Sequence, residues 1–356
     1  MSLHTKLADG RELIYFDDEN SALPKTRKPD QREATQRPPV AQMRLDSLTG
    51  DWVSVAAARN ARAFLPPANQ CPLCPTTAEN LSEIPDRFDV AVFENKSPSF
   101  GPDLGALTFP ENQPLGATLP SIGRCEVVVF SAEHLGSVST LPVSRVRTIL
   151  GALAERTKAL LAMDGIVQVF PFENRGQDIG VTLHHPHGQI YSYPFVPPRT
   201  KKLLASIHEF GKDLFQKTLE FEEASERVLI RGNHFTAYVP FACHWPLEIH
   251  LLPHRHVGYL SDLTDQELNE LATIYSELLR ALDHVYDTPT PYISAWHQAP
   301  KAPSGENVRL QLQITSPRRA ADKLKYLAGS ESAMGAFIAD VTPEATAELI
   351  RSAVYK

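Results

Sequence analysis

The sequence predicts an α+β fold in which one unit occurs twice and both copies belong to a single intertwined fold. Segments with strand and helix patterns alternate along most of the 356 residues. The same order of elements appears in two stretches of the chain, which indicates an internal duplication. Three pairs of like residues recur at one constant spacing: Glu126 with Glu248, His134 with His256, and Leu141 with Leu263.

The first copy is predicted as strand, helix, strand and strand. Residues 126–130 are β-prone, residues 143–163 carry apolar side chains at helical spacing, and residues 166–170 return to a strand. The last strand contains the histidine-rich segment at residues 185–189.

The second copy repeats this order. Thr264 and Glu267 form a capping box, which predicts the start of a helix, and apolar residues at helical spacing follow. Residues 292–296 are the next strand, and residues 310–314 align with the histidine-rich segment of the first copy. Because the second copy has lost those histidines, the chemistry is expected in the first.

Three regions follow from this reading. Residues 17–40 are polar and rich in proline, so residues 1–40 are predicted to be an N-terminal arm or loop. Residues 41–198 are then an N-terminal half that carries the active site, and residues 199–356 are a C-terminal half.

The composition argues against several classes of protein. The formal net charge is −7 and the pI is about 6.0, so the chain offers no basic surface for nucleic acid. No apolar run approaches the roughly 20 residues that cross a bilayer, and the N-terminus has no apolar signal core. Four cysteines are too few for a disulfide scaffold. We therefore expect a soluble cytoplasmic protein with reduced thiols and no nucleic-acid or membrane partner.

The segment His185-Pro186-His187-Gly188-Gln189 predicts covalent catalysis. Two imidazoles two residues apart on an extended backbone point to the same side, and Pro186 favours that backbone. A neutral imidazole is a good nucleophile near pH 7, and its attack on phosphorus gives a phosphoramidate that can pass its group to an acceptor. Gln189 lies on the same face and can donate its amide to a phosphate oxygen. His187 and Gln189 are therefore the predicted catalytic residues.

Cys71 and Cys74 have the spacing of two zinc ligands. A tetrahedral site needs two more ligands. His134 and His185 are candidates because the duplication places their strand ends together, and His184 is a rival that spacing does not exclude. A set of two cysteines and two histidines leaves no position for water, which favours a structural metal. A redox pair or two incidental thiols are the other interpretations of this motif.

A glycine-containing stretch at residues 174–182 precedes the histidines. Gly176 and Gly180 suit the close approach of a phosphate to the backbone, and the position next to His187 gives this weak signal its value. Arg59 and Arg62 follow the first strand of residues 41–198 and could contact phosphate, although exposed arginines are more often only solvated.

In their order, these motifs resemble the galactose-1-phosphate uridylyltransferase family of the histidine-triad (HIT) superfamily. The resemblance runs from about Arg44 to about Glu344. The segments that carry it are residues 48–52, Cys71-Pro72-Leu73-Cys74, residues 92–95, residues 130–134, Phe172-Glu173-Asn174-Arg175-Gly176, residues 185–189, residues 295–300 and Lys325-Tyr326-Leu327-Ala328-Gly329.

The resemblance implies duplicated HIT-like units with an antiparallel sheet and flanking helices, a homodimer, and a ping-pong reaction. UDP-glucose would transfer UMP to His187, and galactose 1-phosphate would then accept it. The site residues that the resemblance implies fall into three groups: zinc ligands at Cys71, Cys74, His134 and His185; nucleotide contacts at Asn95, Asn174, Gly180, Val181, Thr182 and Gln189, with Arg59 and Arg62 from the partner subunit; and sugar-phosphate contacts at Lys325, Tyr326 and Glu331.

The sequence departs from the family pattern at a second metal site, which uses a glutamate and three histidines. His297 matches, but Gln311 and Gln313 stand where two histidines are usual, and about Leu203 takes the place of the glutamate. We therefore predict that this second metal is absent. Ser330 replaces a tyrosine before the sugar-binding glutamate, which bears on the choice of acceptor.

Other functions fit some of the same residues. A related nucleotide-sugar phosphorylase or adenylyltransferase would use phosphate or ADP-sugars, and a HIT-type hydrolase would use water. Lys325 and Glu331 favour a sugar phosphate as acceptor. The intact segment at residues 185–189 argues against a non-catalytic zinc- or nucleotide-binding protein.

Overall fold

The computed structural model describes residues 2–35, 37, 41–61, 65–101 and 115–354. Within these ranges the strands are, in chain order, β1 Ser2–Lys6, β2 Glu12–Phe16, β3 Gln42–Asp46, β4 Asp51–Val55, β5 Val90–Glu94, β6 Thr118–Pro120, β7 Arg124–Val129, β8 Gln168–Arg175, β9 His187–Tyr193, β10 Val228–Arg231, β11 Phe235–Tyr238, β12 Leu247–Pro253, β13 Tyr292–His297, β14 Gln311–Ser316, β15 Arg318–Ala320 and β16 Lys323–Leu324. The α-helices are α1 Val143–Leu161, α2 Pro198–Phe210, α3 Leu214–Glu223, α4 Asp265–His284, α5 Gly329–Met334 and α6 Pro343–Val354.

One antiparallel sheet of eleven strands organises the described part of the chain. Its order is β1-β2-β5-β7-β9-β8-β13-β14-β12-β11-β10. The β8–β13 pair joins the two copies. On either side of it the order is the same, because β9 and β7 follow β8 as β14 and β12 follow β13. This symmetric arrangement confirms the predicted α+β fold and its internal duplication.

Helices α1, α4 and α6 cover one face of this sheet, and α2 and α3 pack against β11 and β12 on the other face. The apolar sides of α1 and α4 pack on the strands and on each other, and α6 joins the same core. The N-cap Thr264 accepts a hydrogen bond from the backbone of Glu267, so the predicted capping box is confirmed. The functional side chains lie on the opposite face. Among the described residues, no helix is long and apolar enough to span a membrane.

The prediction of an arm or loop over residues 1–40 is wrong for its first part. β1 and β2 extend the main sheet, and Leu13 and Ile14 are at most 1% exposed. Their side chains point to opposite faces, Ile14 into the helix-covered core and Leu13 into a second core beside Cys71. A strand buried on both faces has no polar alternation, so four consecutive apolar residues give little sequence signal. Residues 17–35 contain no helix or strand, as expected. The boundary between residues 198 and 199 stays a prediction.

The strands place the duplication one residue away from the sequence alignment. Arg156 of α1 donates to both carboxylate oxygens of Glu126, at 2.9 and 2.7 Å, so Glu126 faces the helices. Glu248 faces the other side of the sheet, and Leu312 lies in the helix-side core. Because side chains alternate, a shift of one residue exchanges the faces. The strand starts give the direction of the shift, because β9 begins at His187 and β14 at Gln311, as β7 begins at Arg124 and β12 at Leu247. His187 therefore corresponds to Gln311, and Gln189 to Gln313, rather than to the apolar residues of β14.

Candidate active site and metal centre

A cluster of two thiols and two imidazoles lies at the start of β9. Cys71 and Cys74 come from a turn, His134 from the loop after β7, and His185 from the residues just before β9. One ligand atom from each side chain lies within 4.8 Å of all the others. The Sγ atom of Cys74 is 3.4 Å from Nδ1 of both His134 and His185, and the Sγ atom of Cys71 is 3.6 Å from Nδ1 of His185. His184 is exposed, so His185 is the residue that joins this cluster.

These distances fit a tetrahedral metal. Zinc bonds of about 2.3 Å to sulfur and 2.0 Å to nitrogen, at tetrahedral angles, place a sulfur and a nitrogen ligand about 3.5 Å apart. Nε2–H of His185 donates to the Ser131 carbonyl at 2.8 Å, which leaves the Nδ1 lone pair facing the thiols. Burial lowers the pKa of His185 to about 4, so its imidazole is neutral near pH 7. Burial and the neighbouring Cys71 thiol raise the pKa of Cys74 to about 12, so a bound cation would be needed to hold two thiolates here.

His187 lies two residues after His185, on the same side of the extended backbone. Its Nδ1–H donates to the carbonyl of His185 at 2.8 Å, which leaves the Nε2 lone pair free to react. Burial lowers the pKa of His187, so the reactive neutral form dominates near pH 7. One hydrogen bond thus connects the candidate nucleophile to the backbone of a candidate metal ligand.

Gln189 follows His187 on the same face of β9, and the residue between them has to be small. A Cβ atom at Gly188 would lie 2.8 Å from the Phe130 ring and 2.9 Å from the Phe172 carbonyl. The neighbouring strands β7 and β8 hold β9 in register on both sides. The predicted catalytic pair therefore lies on a strand near the middle of the sheet.

A cleft at the start of β9 brings several predicted residues to His187. Asn174, Gly176 and Val181 line it together with three histidines, His184, His185 and His187. Gly176 and Gly180 have φ values of +99° and +83°, which favour glycine. Val181 and Thr182 continue this loop, and the Thr182 carbonyl accepts a hydrogen bond from the backbone of Leu65 at 2.8 Å.

Asn95 and Arg59 meet at Ser97. The Asn95 side-chain oxygen accepts from the Ser97 backbone at 2.9 Å, and Arg59 donates to the Ser97 carbonyl at 3.4 Å. Asn95 also bonds through its backbone to Cys125, which pairs with Tyr191 of β9. Arg62 lies outside the described residues.

The predicted sugar-phosphate residues lie elsewhere in the chain. The Lys325 ammonium donates to the His244 carbonyl at 3.0 Å and is 3.6 Å from the Glu331 carboxylate. Tyr326 is 75% exposed. Within the described residues, the contacts of Lys325 and Glu331 are to the C-terminal half, and none joins them to the cleft at His187.

The positions of the family's second metal site hold a hydrogen-bond network. Gln313 accepts from Nε2 of His297 at 2.9 Å and donates to Glu248 at 2.8 Å. Gln311 donates to His250 at 3.1 Å, and Leu203 packs in an apolar cluster of α2 and α3. The absence of a second metal stays a prediction.

Sequence reasoning missed Glu173 and Arg175, which also line the cleft. Burial raises the pKa of Glu173 to about 7, although hydrogen bonds from Tyr292 and Tyr275 and the charge of Arg175 lower it. The available signal was their position, because two opposite charges flank Asn174 in an otherwise apolar strand.

Comparison with known proteins assigns the family. The model of the galactose-1-phosphate uridyl transferase N-terminal domain matches residues 30–197, and that of the C-terminal domain matches residues 201–355. The chain belongs to the galactose-1-phosphate uridylyltransferase family. A galactose-1-phosphate uridylyltransferase from Streptomyces lividans is 42% identical over 306 residues, covering 83% of this chain and 80% of the relative. One from Thermotoga maritima is 32% identical, covering 87% and 98%.

Solved structures agree with this assignment. A structure described as that of uridylyltransferase has a TM-score of 0.76 and 32% identity to this family member, covering 88% of this chain and 98% of that one. A more distant relative, the ADP-glucose phosphorylase of Arabidopsis thaliana, is 24% identical over 87% of this chain and 92% of its own.

Proposed function

We propose that this chain transfers UMP from UDP-glucose to galactose 1-phosphate through a covalent uridylyl-His187 intermediate. The observation that carries the proposal is the hydrogen bond from Nδ1 of His187 to the His185 carbonyl, which leaves Nε2 as a fixed, neutral nucleophile. The named activity of relatives that cover most of the chain supports the choice of substrates.

In the first half-reaction, Nε2 of His187 attacks the α-phosphorus of UDP-glucose. A nitrogen–phosphorus bond forms, the bond from this phosphorus to the bridging oxygen breaks, and glucose 1-phosphate leaves. The imidazole keeps its Nδ1 proton, whose hydrogen bond to the His185 carbonyl stabilises the positive charge that develops on the ring. Gln189 is proposed to donate its amide to a nonbridging oxygen of the transferred group.

In the second half-reaction, a phosphate oxygen of galactose 1-phosphate attacks the same phosphorus from the other side. The nitrogen–phosphorus bond breaks, UDP-galactose leaves, and the neutral imidazole is restored. Asn174 and the loop at residues 176–182 are proposed to hold the nucleotide phosphate, because Asn174 and the loop residues Gly176 and Val181 line the cleft beside His187.

We propose zinc for the cluster of Cys71, Cys74, His134 and His185. The two sulfurs, two nitrogens and their spacing suit this ion. Four protein ligands leave no position for substrate, so the ion would act as a structural brace. His185 would transmit that brace to His187 through its backbone carbonyl.

Assembly and location are proposed from the family. We propose a homodimer in which Arg59 and Arg62 reach the cleft of the partner subunit. Lys325, Tyr326 and Glu331 are proposed to contact the sugar phosphate. Within the described residues no disulfide joins the four cysteines, which is consistent with a reducing cytoplasm.

The test is the intact mass of the zinc-loaded protein after mixing with UDP-glucose alone. We expect a gain of one UMP that disappears when galactose 1-phosphate is added, with UDP-galactose as product. The His187→Ala variant should show no gain. An adduct formed only from ADP-glucose and released by inorganic phosphate would instead identify the activity named for the Arabidopsis relative. No adduct from either nucleotide sugar would reject covalent catalysis by His187.

A further inference from the structure

Two charged side chains of β8 have no part in the proposed chemistry. Glu173 and Arg175 flank Asn174, and because side chains alternate along a strand, they point to the face opposite Asn174. That face meets the C-terminal half. Their contacts therefore show how one half of the molecule holds a strand of the other half's site.

Glu173 is held by two tyrosines. Its side chain is almost completely buried, and the hydroxyl of Tyr292 donates to its Oε2 at 3.0 Å. The hydroxyl of Tyr275 lies 3.4 Å from the same oxygen and 2.8 Å from the Ser294 hydroxyl. Burying a carboxyl group is costly unless its oxygens are hydrogen-bonded, so these hydroxyls favour one position of Glu173.

Arg175 is held by a third group of the same half. Its Nη1 is 2.6 Å from Oδ1 of Asp283 on α4, and its guanidinium lies 5.5 Å from the centre of the Tyr292 ring. Asp283 is itself fixed, because it accepts from the backbone of Thr290 at 3.0 Å and from the hydroxyl of Ser139 at 2.7 Å.

The backbone adds to this attachment. Glu173 pairs with Ser294 and Asn174 with Ile293 in the β8–β13 ladder. On its other edge, β8 pairs with β9, where Glu173 is opposite Gly188. The strand between the nucleophile and the C-terminal half is thus fixed from both edges and from the helix-covered face.

We infer that Glu173 and Arg175 are positioning residues that clamp β8 to the C-terminal half and so fix Asn174 relative to His187. We call the side chains of Glu173, Arg175, Tyr275, Asp283 and Tyr292 the clamp. This inference rests on the proposed function, since Asn174 is expected to contact the nucleotide phosphate. It gives the second copy of the duplicated unit a role in the reaction, although that copy has no nucleophile.

The first test is a double-mutant cycle between Glu173 and Asn174. The measured quantity is the rate of UMP-adduct formation at saturating UDP-glucose, per folded chain. Loss of precise placement costs up to roughly 100-fold in rate, so we expect Glu173→Ala to slow the step by about tenfold or more. If Glu173 acts through Asn174, it should slow the Asn174→Ala variant no further. Independent, multiplying effects would overturn the inference.

Two more variants separate placement from chemistry and from folding. Glu173→Gln keeps an oxygen that accepts from Tyr292, so it should restore most of the rate lost in Glu173→Ala. If Glu173→Ala does not fold, Tyr292→Phe removes only the hydroxyl and should slow the same step. If Glu173→Gln is as slow as Glu173→Ala, the rate depends on the charge of residue 173 and not on its hydrogen bond, which would contradict the clamp.

The matched control is Glu222→Ala. Glu222 is also a buried carboxylate, paired with Arg227 at 2.6 Å, but it lies on α3 in the C-terminal half and does not line the cleft. We expect it to lower stability without changing the rate per folded chain. An equal loss of rate in this control would show that any buried-charge defect slows the reaction, and would overturn the specific role of Glu173.

A second measurement does not depend on the reaction. Amide hydrogen exchange in a peptide that covers residues 170–176 should be faster in Glu173→Ala than in the wild type or in Glu222→Ala. Unchanged exchange would overturn the clamp. If the wild type forms no UMP adduct but exchange responds as expected, the proposed function fails and the attachment of β8 by Glu173 stands.

Discussion

The two copies of the duplicated unit use the same strand position in opposite ways. In the first copy, His187 makes one hydrogen bond to a backbone carbonyl and keeps its other ring nitrogen free. In the second copy, the corresponding Gln311 bonds to both Arg199 and His250. Gln313, which corresponds to Gln189, bonds to both His297 and Glu248. The first position keeps a lone pair that the proposed reaction would use, whereas the second holds an amide that is not nucleophilic and whose polar atoms are paired.

This difference shows what duplication provides to a small site. A reactive strand needs a free lone pair, and unpaired polar groups lower stability. The second copy contributes paired polar groups and much of a large apolar core, and its strand β13 pairs with β8. Exchanging or removing features of the two copies should therefore have effects that range from loss of uridylyl transfer to small losses of stability.

The largest effect is expected when the first copy receives the residue of the second. His187→Gln should lower uridylyl transfer by roughly 10⁴-fold or more, as removal of a nucleophile does elsewhere, because an amide cannot form the phosphoramidate. Intact mass with UDP-glucose and steady-state product formation measure this. The reverse change, Gln311→His, should not create a second adduct. Normal turnover by His187→Gln would show that His187 is not the nucleophile and that the two copies do not differ in this way.

Loss of the proposed zinc site should affect the first copy alone. Cys71→Ala is expected to abolish binding of about one zinc ion per chain and to lower the free energy of unfolding by about 3 kcal/mol or more. Elemental analysis and denaturant unfolding give both values. Cys243→Ala changes a buried free thiol of the second copy and serves as the control, since it should keep the metal. Two zinc ions per wild-type chain would mean that the second copy also binds metal.

In the second copy, Glu248 should make the stability of the protein depend on pH. Burial raises the pKa of Glu248, but hydrogen bonds from His250, the His244 backbone and Gln313 lower it further, to about 2 from an ordinary value near 4.5. Because the pKa is lower in the folded state, the ionised Glu248 carboxylate stabilises the fold fully above about pH 4.5, and this contribution is lost as the pH falls toward 2. Its size follows from the shift and is about 3 kcal/mol.

Glu248→Gln should therefore be less stable than the wild type near pH 7 and lose less stability between pH 4.5 and 2.5. Chemical denaturation at a series of pH values measures the slope. Glu220→Gln, which changes an exposed carboxylate of α3, is the control and should keep the wild-type slope. A wild-type slope in Glu248→Gln would show that Glu248 does not cause the loss of stability at low pH.

The smallest effects should separate the two glutamines. Gln189→Ala is expected to slow transfer by roughly 100-fold, the usual effect of losing a donor to a developing negative charge, with little change in stability. Gln313→Ala should lower stability by about 1–2 kcal/mol, because Glu248 and His297 each lose a partner, and it should leave the transfer rate unchanged. Measuring both quantities for both variants tests the division of roles, and a stability loss confined to Gln189→Ala would reverse it.

The sequence predicted more of the fold than of the site's support. The helices were visible because one apolar face repeats at helical spacing, and the cap at Thr264 marked a helix start. β2 was missed because its buried residues show no alternation. The alignment of the two copies was wrong by one residue in the strands, since similarity of residue type does not report the face on which a side chain lies.

By itself, the sequence determined the duplicated α+β architecture, the candidate nucleophile and the Cys71–Cys74 pair. The nucleophile and the cysteine pair are local features, because spacing along one strand or one turn fixes which side chains point together. Only the tertiary structure decided that His185 rather than His184 meets the thiols, that Gln311 takes the position of His187, and that Glu173 and Arg175 attach β8 to the other half. Such contacts join residues as far apart as 119 positions, and the pairing of strands from both copies brings them within hydrogen-bonding distance.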